Sequence, residues 1–318
     1  MPVSIRELAK IARLYYLDDV PQREIARRFN VSVATVSRAI SKARDLGLVS
    51  ITIKDSDSRA TELERTIEQA FALDECIVVP ELAHPWPPHH ALAAATCDVL
   101  ERLVTSGTTL GVSWGRTLKS IGDSIEPRAV RNVRVVPIVG AMGRIETGIY
   151  PNSIARAFAD RFSAECHLVN TPAVLDVPEV RDSVTADSTF RSVVQVWDEL
   201  DVVLFSVSSL DSLASVYTTG VFSENELAET SRAGGVGALN FSILGEDGVE
   251  IPTELGRRIV NLPLARLDRV RHRVLTAVGT EKTAAVAAAL RGRHCTVLIT
   301  DFPVAERIVE PSRSRDDR

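Results

Sequence analysis

Apolar positions near the start of the chain follow the helical period. Ile5, Leu8, Ile11, Ala12 and Tyr15 share one face and predict an amphipathic helix ending near Asp18-Asp19. Val20-Pro21 restarts the chain, with Pro21 suited to a first helical turn, and Ile25, Ala26 and Phe29 form the stripe of a short second helix. Asn30-Val31 reads as a tight turn and Ser32 as the N-cap of a third helix, on which Val36, Ile40 and Ala43 share a face. Ala34, Ser37, Arg38, Ser41 and Lys42 point mainly the other way, and Gly47 is the stop signal. Val49 to Lys54 (VSITIK) alternates as a short strand would and predicts a wing beside the helices.

The pattern then changes. DSDSRA (55–60) is polar, and TELERTIEQAFAL places Leu63, Ile67, Ala70 and Phe71 on a narrow seam, suited equally to pairing with a second copy or to packing on the next domain. From about residue 74, short runs that are apolar throughout (ECIVVP, TLGVSW, VRVVPIVG, ECHLVN, DVVLFSV, TVLITD) alternate with helical stretches such as HALAAATCDVLERLV, SIARAFADRF and KTAAVAAALRG. This rhythm predicts an α/β, Rossmann-like domain with a mostly parallel sheet covered on both faces. The expected organisation is a helix-turn-helix domain over 1–54, a linker helix over 55–73, the α/β domain over 74–310 and a polar tail over 311–318.

Composition adds exclusions. With 318 residues, 45% hydrophobic and 25% charged, the chain is of ordinary globular type, and no window reaches the roughly 18 apolar residues of a membrane span. The start lacks the features of a secretory signal, and Cys76, Cys97, Cys166 and Cys295 stand apart without a CxxC, as expected of buried thiols in a reducing cytoplasm. The formal charge of −5 argues against a nucleic-acid partner until it is divided. Residues 1–54 hold ten Lys and Arg against five Asp and Glu, a segment of +5, which leaves −10 on the rest.

That division gives the first pattern its chemistry. QREIARRFNVSVATVSRAI reads as helix, tight turn, helix, with small or polar residues where the second helix would lie in the major groove of double-stranded operator DNA. Ala34 can face a thymine methyl, Ser37 can bond several base edges, and Arg38 can take a guanine or a phosphate. Gln22, Thr35 and Lys42 are candidates for phosphates, and Ser32 for the cap that orients the helix.

In the larger domain three strand ends resemble ligand loops, where glycines let a ligand approach the backbone and helix starts favour anions. The first runs Gly111-Val112-Ser113-Trp114-Gly115-Arg116-Thr117, the second Gly140-Ala141-Met142-Gly143, and the third Gly279-Thr280-Glu281-Lys282-Thr283. Together they predict a small anionic ligand. No HExxH, GxSxG or Walker loop is present, His84, His89 and His90 in HPWPPHH read as a surface loop, and neither metal nor cofactor is expected. A buried pair among Asp182, Asp187, Asp198 and Asp201 cannot be identified from spacing.

With these motifs in place the chain resembles SorC/DeoR-type sugar-binding transcriptional regulators of bacteria. The carriers are QREIARRFNVSVATVSRAISKARDLGLVSITI, GVSWGRTL, VVPIVGAMG, RAGGVG followed by EDG, and GTEKTAAVAAALRGRHCTVLITD. The resemblance implies an effector domain with the fold of glucosamine-6-phosphate isomerase, usually in a tetramer, and a phosphorylated sugar or polyol that alters operator binding. Carried onto this chain, the effector site draws on Ser113 to Thr117, Met142-Gly143, Glu246-Asp247 and Lys282. The sequence departs from the family at Ser206-Val207-Ser208, where many members have Gly-Ile-Gly, and at Ala238, where an Asp is common. The rival expectation is a sugar-phosphate isomerase or deaminase fused to a DNA-binding segment.

Overall fold

The computed structural model describes all residues except 1–3, 19, 47, 50–57, 80–87, 143–148, 212–223 and 311–318. The chain forms two compact units, residues 1–56 and 57–318. The expected wing (50–54 of VSITIK), the stop signal Gly47, His84 and the tail 311–318 lie outside the described residues.

The first unit is three helices: α1 (Ile5–Tyr16), α2 (Gln22–Phe29) and α3 (Val33–Asp45). Each boundary has a local cause. Ser4 and Glu7 form a reciprocal capping box at the start of α1. Asn30 closes α2 in the left-handed region (φ 52°), which Asn tolerates, and Ser32 caps α3 by accepting from Thr35 N at 3.1 Å. Leu8, Ile11, Ala12, Ile25, Ala26, Val36, Ala39, Ile40 and Ala43 meet as one buried cluster.

The second unit opens with α4 (Ser58–Phe71). Its seam packs inside its own unit: Ile67 is fully buried, with Leu63 and Phe71 against the same core. Two carboxylates of α4 also serve the first strand, Glu64 accepting from Val78 N and Glu68 from Cys76 N, each at 2.8 Å. A sheet edge that would present free N–H groups is thereby covered. Arg59 lies over the Phe302 ring, 4.9 Å from its centroid, and pairs with Glu306.

Ten strands follow among the described residues: β1 (Glu75–Val79), β2 (Thr109–Val112), β3 (Arg134–Pro137), β4 (Glu165–Cys166), β5 (Val202–Phe205), β6 (Val207–Ser208), β7 (Gly237–Leu239), β8 (Ser242–Leu244), β9 (His272–Ala277) and β10 (Val297–Asp301). Seven make a parallel sheet in the order β1-β10-β9-β5-β2-β3-β4; β6-β7-β8 form a small antiparallel sheet. The unbroken apolar runs have their explanation here. In β5, Val202 and Leu204 enter one core and Val203 and Phe205 the other, so both faces are covered. Of ECHLVN only two residues pair as strand. His89 and His90 fall in helix Pro88–Leu103 rather than in a loop. Among the described residues no helix is long and apolar enough to cross a membrane.

Candidate functional site

In the first unit, α3 turns a continuous stripe outward. Ala34, Ser37, Arg38, Ser41 and Lys42 are exposed, while Val36, Ala39, Ile40 and Ala43 hold the helix to its core. Arg38 is preset: its Nε donates to Ala34 O at 3.2 Å, which folds the side chain back along the first turn. Thr35 is half-buried and its hydroxyl lies 2.8 Å from Ser32 Oγ, so both belong to the cap. Gln22 is half-buried at the start of α2, whose outward cation Arg28 is engaged by Glu24.

In the second unit the strand order reverses between β2 and β5. Chain progress from β2 runs to β3 and β4, and from β5 to β9 and β10 on the opposite side. The crevice outside the carboxyl ends at such a reversal is where open α/β sheets bind ligands. Ser113 and Trp114 leave β2 at this point, with Ser113 N donating to Leu204 O of β5 at 2.9 Å.

Ser113 is buried, and its hydroxyl donates to Asn240 Oδ1 at 3.2 Å. Asn240 Nδ2 in turn donates to Ile138 O at 2.7 Å, and Asn261 Nδ2 to Asn240 O at 2.8 Å. Asn240 and Phe241 are the two central residues of the β7–β8 hairpin, both with positive φ (48° and 72°), as the twist of a two-residue turn requires. For Phe241 this backbone is strained, and its ring stacks on Trp114 with centroids 5.2 Å apart and planes 14° apart.

Two cations complete this edge. Gly115 (φ 110°) starts helix Arg116–Ser124 without a side-chain cap, and Gly279 (φ 97°) starts the turn Thr280–Lys282 that leads into helix Thr283–Arg291. Arg116 is exposed and Lys282 half-buried, and among the described residues neither side chain closes an ion pair or hydrogen bond. Burial pushes the Lys282 amine below its ordinary 10.5; Arg116 adds to the push, and Glu281 and Asp301 oppose it. Two unpaired cations beside two helix starts favour an anion.

Not every expected residue joins them. Gly111 lies within β2, where an added Cβ would come 2.7 Å from Ile138 Cγ2; its smallness serves packing. Thr117 is buried under the first turn of its helix, and Met142 is buried with Val139, Ala173 and Phe241. Gly143 lies outside the described residues. Glu246-Asp247 sit elsewhere. Glu246 O accepts from Arg291 at 2.8 Å and Asp247 closes its own turn onto Val249 N, at the far end of the helix that begins beside Lys282. That helix spans roughly 13 Å, so these two acids stand apart from the cations. Asn240, Phe241 and Asn261 join the cluster around Ser113 and Trp114 and were not expected; Asn in a two-residue hairpin was the available signal. The two departures from the family pattern face one another, Ser208 pairing with Ala238 across β6 and β7.

All four cysteines are free; burial raises their thiols, Cys97 to about 11. Among the described residues no three His, Cys, Asp or Glu side chains gather as a metal set.

Comparison with known proteins follows the same division. The Sugar-bind family, a sugar-binding domain, matches residues 56–310, and sigma-70 region 4 matches residues 9–46. The sorbitol operon regulator of Klebsiella pneumoniae is 29% identical over 316 residues, covering 96% of this chain and 98% of that protein. The deoxyribonucleoside regulator of Bacillus subtilis is 28% identical over 302 residues, 94% of this chain and 95% of its own. The crystal structure of full-length SorC from Klebsiella pneumoniae matches with a TM-score of 0.74 at 28% identity, over 96% of this chain and 98% of that one. A transcriptional regulator from Streptococcus pneumoniae shares the fold over 80% of this chain and 98% of its own, with a TM-score of 0.76 at 21% identity.

Proposed function

The chain belongs to the Sugar-bind family of SorC/DeoR-type transcriptional regulators, and from that premise we propose how its two units divide the work. The protein is a DNA-binding transcriptional regulator whose operator binding responds to a small sugar or polyol. The first unit engages double-stranded operator DNA in the cytoplasm through α3, with Ala34, Ser37 and Arg38 toward the bases and Gln22 and Lys42 toward phosphates; Ser32 and Thr35 hold the helix start. The second unit takes the effector at the β2/β5 crevice, against Ser113, Trp114, Gly115 and Arg116 on one side and Lys282 on the other.

The observation that carries the ligand's class is Lys282, half-buried with no ion-pair partner among the described residues and with Arg116 near enough to depress it further. Glu281 and Asp301 offset only part of the cost of burying this cation beside Arg116, and an anionic ligand would offset more of it. The effector is therefore phosphorylated, with its phosphate between the two helix starts and its hydroxyls toward the Ser113–Asn240 network. The chain acts as a dimer or tetramer, which presents paired recognition helices to a palindromic operator. The effector shifts this assembly between two arrangements only as far as it binds them unequally.

A thermal-shift series over sugar and polyol phosphates and their unphosphorylated parents tests this reading, since a ligand of the folded state raises apparent stability. At least one phosphate ester should raise the transition while its parent does not. A shift by the parent alone would remove the phosphate from the proposal.

A further inference from the structure

Val33 is the first residue of α3 and is 43% exposed, whereas Val36 and Ile40 on the same helix are 0% and 5% exposed. It takes no part in the apolar cluster of the first unit. Ser32 supplies the cap, and a β-branched residue in the first turn adds nothing to helix propensity. Val31, also exposed, stands just before the cap, where an apolar residue can staple onto the fourth helical position; Val33 holds no such position. Folding therefore gives no reason for a valine here.

Its surroundings give one. Val33 opens the outward stripe that continues through Ala34, Ser37, Arg38 and Ser41, and the Arg38 side chain is folded back toward the same turn by its bond to Ala34 O. The N-terminal turn of a recognition helix is the part that meets base edges. In the major groove, only thymine among the four bases presents a methyl group.

We infer that Val33, with Ala34 beside it, reads thymine methyl groups in each half-site, next to a guanine read by Arg38. This inference rests on the DNA-binding reading above. The valine and the base methyl both lose water-exposed apolar area on contact, and burying one methyl-sized group changes affinity about fourfold. Ser37, as both donor and acceptor, adds a contact that tolerates several bases.

The test uses the full-length protein to enrich duplexes from a randomised pool, then replaces each thymine of the enriched half-site by deoxyuridine, which removes only the methyl. Wild-type protein should lose about fourfold at one or two positions. Val33→Ala, which keeps a good helix former in an exposed place, should bind the thymine duplex about fourfold less tightly and show no further loss with deoxyuridine there. Arg38→Ala should keep the methyl dependence and lose preference at an adjacent guanine. Half-sites without thymine, uniform wild-type affinity across the deoxyuridine series, or full methyl dependence in Val33→Ala would each overturn the inference while leaving DNA binding intact. Failure to enrich any duplex would instead overturn the DNA-binding reading, and this inference with it.

Discussion

Asp301 and Gly279 are joined across adjacent strand ends: Asp301 Oδ2 accepts from Gly279 N at 2.9 Å, while Oδ1 of the same carboxylate caps helix Phe302–Val309 by accepting from Val304 N at 3.1 Å. One side chain thus fixes the loop that carries Lys282 and the helix that packs against α4. Asp301→Ala should lower stability by about 1–2 kcal/mol, the usual cost of a lost helix cap. Asp301→Asn, which keeps an acceptor oxygen for the cap, should cost less. Thermal denaturation of the two variants beside wild type measures both.

Lys282 should behave as a binding residue whose charge is unfavourable in the empty protein. Its amine is depressed in the folded state below the ordinary 10.5, so the folded protein holds this proton less tightly than the unfolded chain. The resulting penalty is fully present below the folded value and disappears as pH rises from there to 10.5. Lys282→Met should therefore flatten an alkaline rise in stability without destabilising the protein at neutral pH. The same variant should weaken a sugar phosphate by about 10- to 100-fold, the worth of one charge-assisted hydrogen bond. In wild type that affinity should fall as pH rises through the same window. Calorimetric titration at several pH values reads both effects.

Asn240→Gly isolates a side chain from a backbone requirement. Glycine accepts the φ of 48° freely, so the hairpin should persist while the bonds to Ser113 and Ile138 disappear. Ile138 O keeps its bond from Leu262 N, but leaving the buried Ser113 hydroxyl unpartnered should cost about 1–3 kcal/mol in urea denaturation. The emission of Trp114, stacked on the adjacent Phe241, should change with it.

The first unit allows a cap and a contact to be told apart. Ser32→Ala should destabilise α3 by about 1 kcal/mol, seen in thermal unfolding. Arg38→Ala should leave unfolding unchanged, weaken operator binding in a mobility-shift assay and preserve any effector-induced thermal shift. Equal loss of DNA binding and effector binding in Arg38→Ala would mark a folding defect.

What the sequence revealed followed from how strongly each pattern was imposed. The three helices of the first unit were legible because caps, turn residues and apolar spacing agree at each boundary. The parallel sheet was legible from strands such as VVLF, apolar on both faces because both faces are covered. Its interior strand β9 escaped notice because it is entered through the polar residues Arg269, Arg271, His272 and Arg273, which conceal a run of four buried residues. Ser113, Arg116 and Lys282 were singled out because glycine-flanked strand ends carry their own signal. Asn240 and Asn261 were not, since they reach the crevice from a hairpin and a loop distant in sequence. Glu246-Asp247 show the opposite error: a motif carried by resemblance, which the fold uses to close a turn at the other end of a helix.

The pairing of β1 with β10 brings strand 75–79 beside strand 297–301. The order of synthesis then matters. Residues 1–56 hold a complete core of local contacts and can settle as soon as they leave the ribosome, whereas β1 waits for nearly the whole chain before its neighbour exists. A message interrupted between codons 57 and 297 would release a folded head attached to an unfinished second unit, without the assembly that pairs recognition helices, so a nonsense allele there should weaken operator binding rather than lock it on.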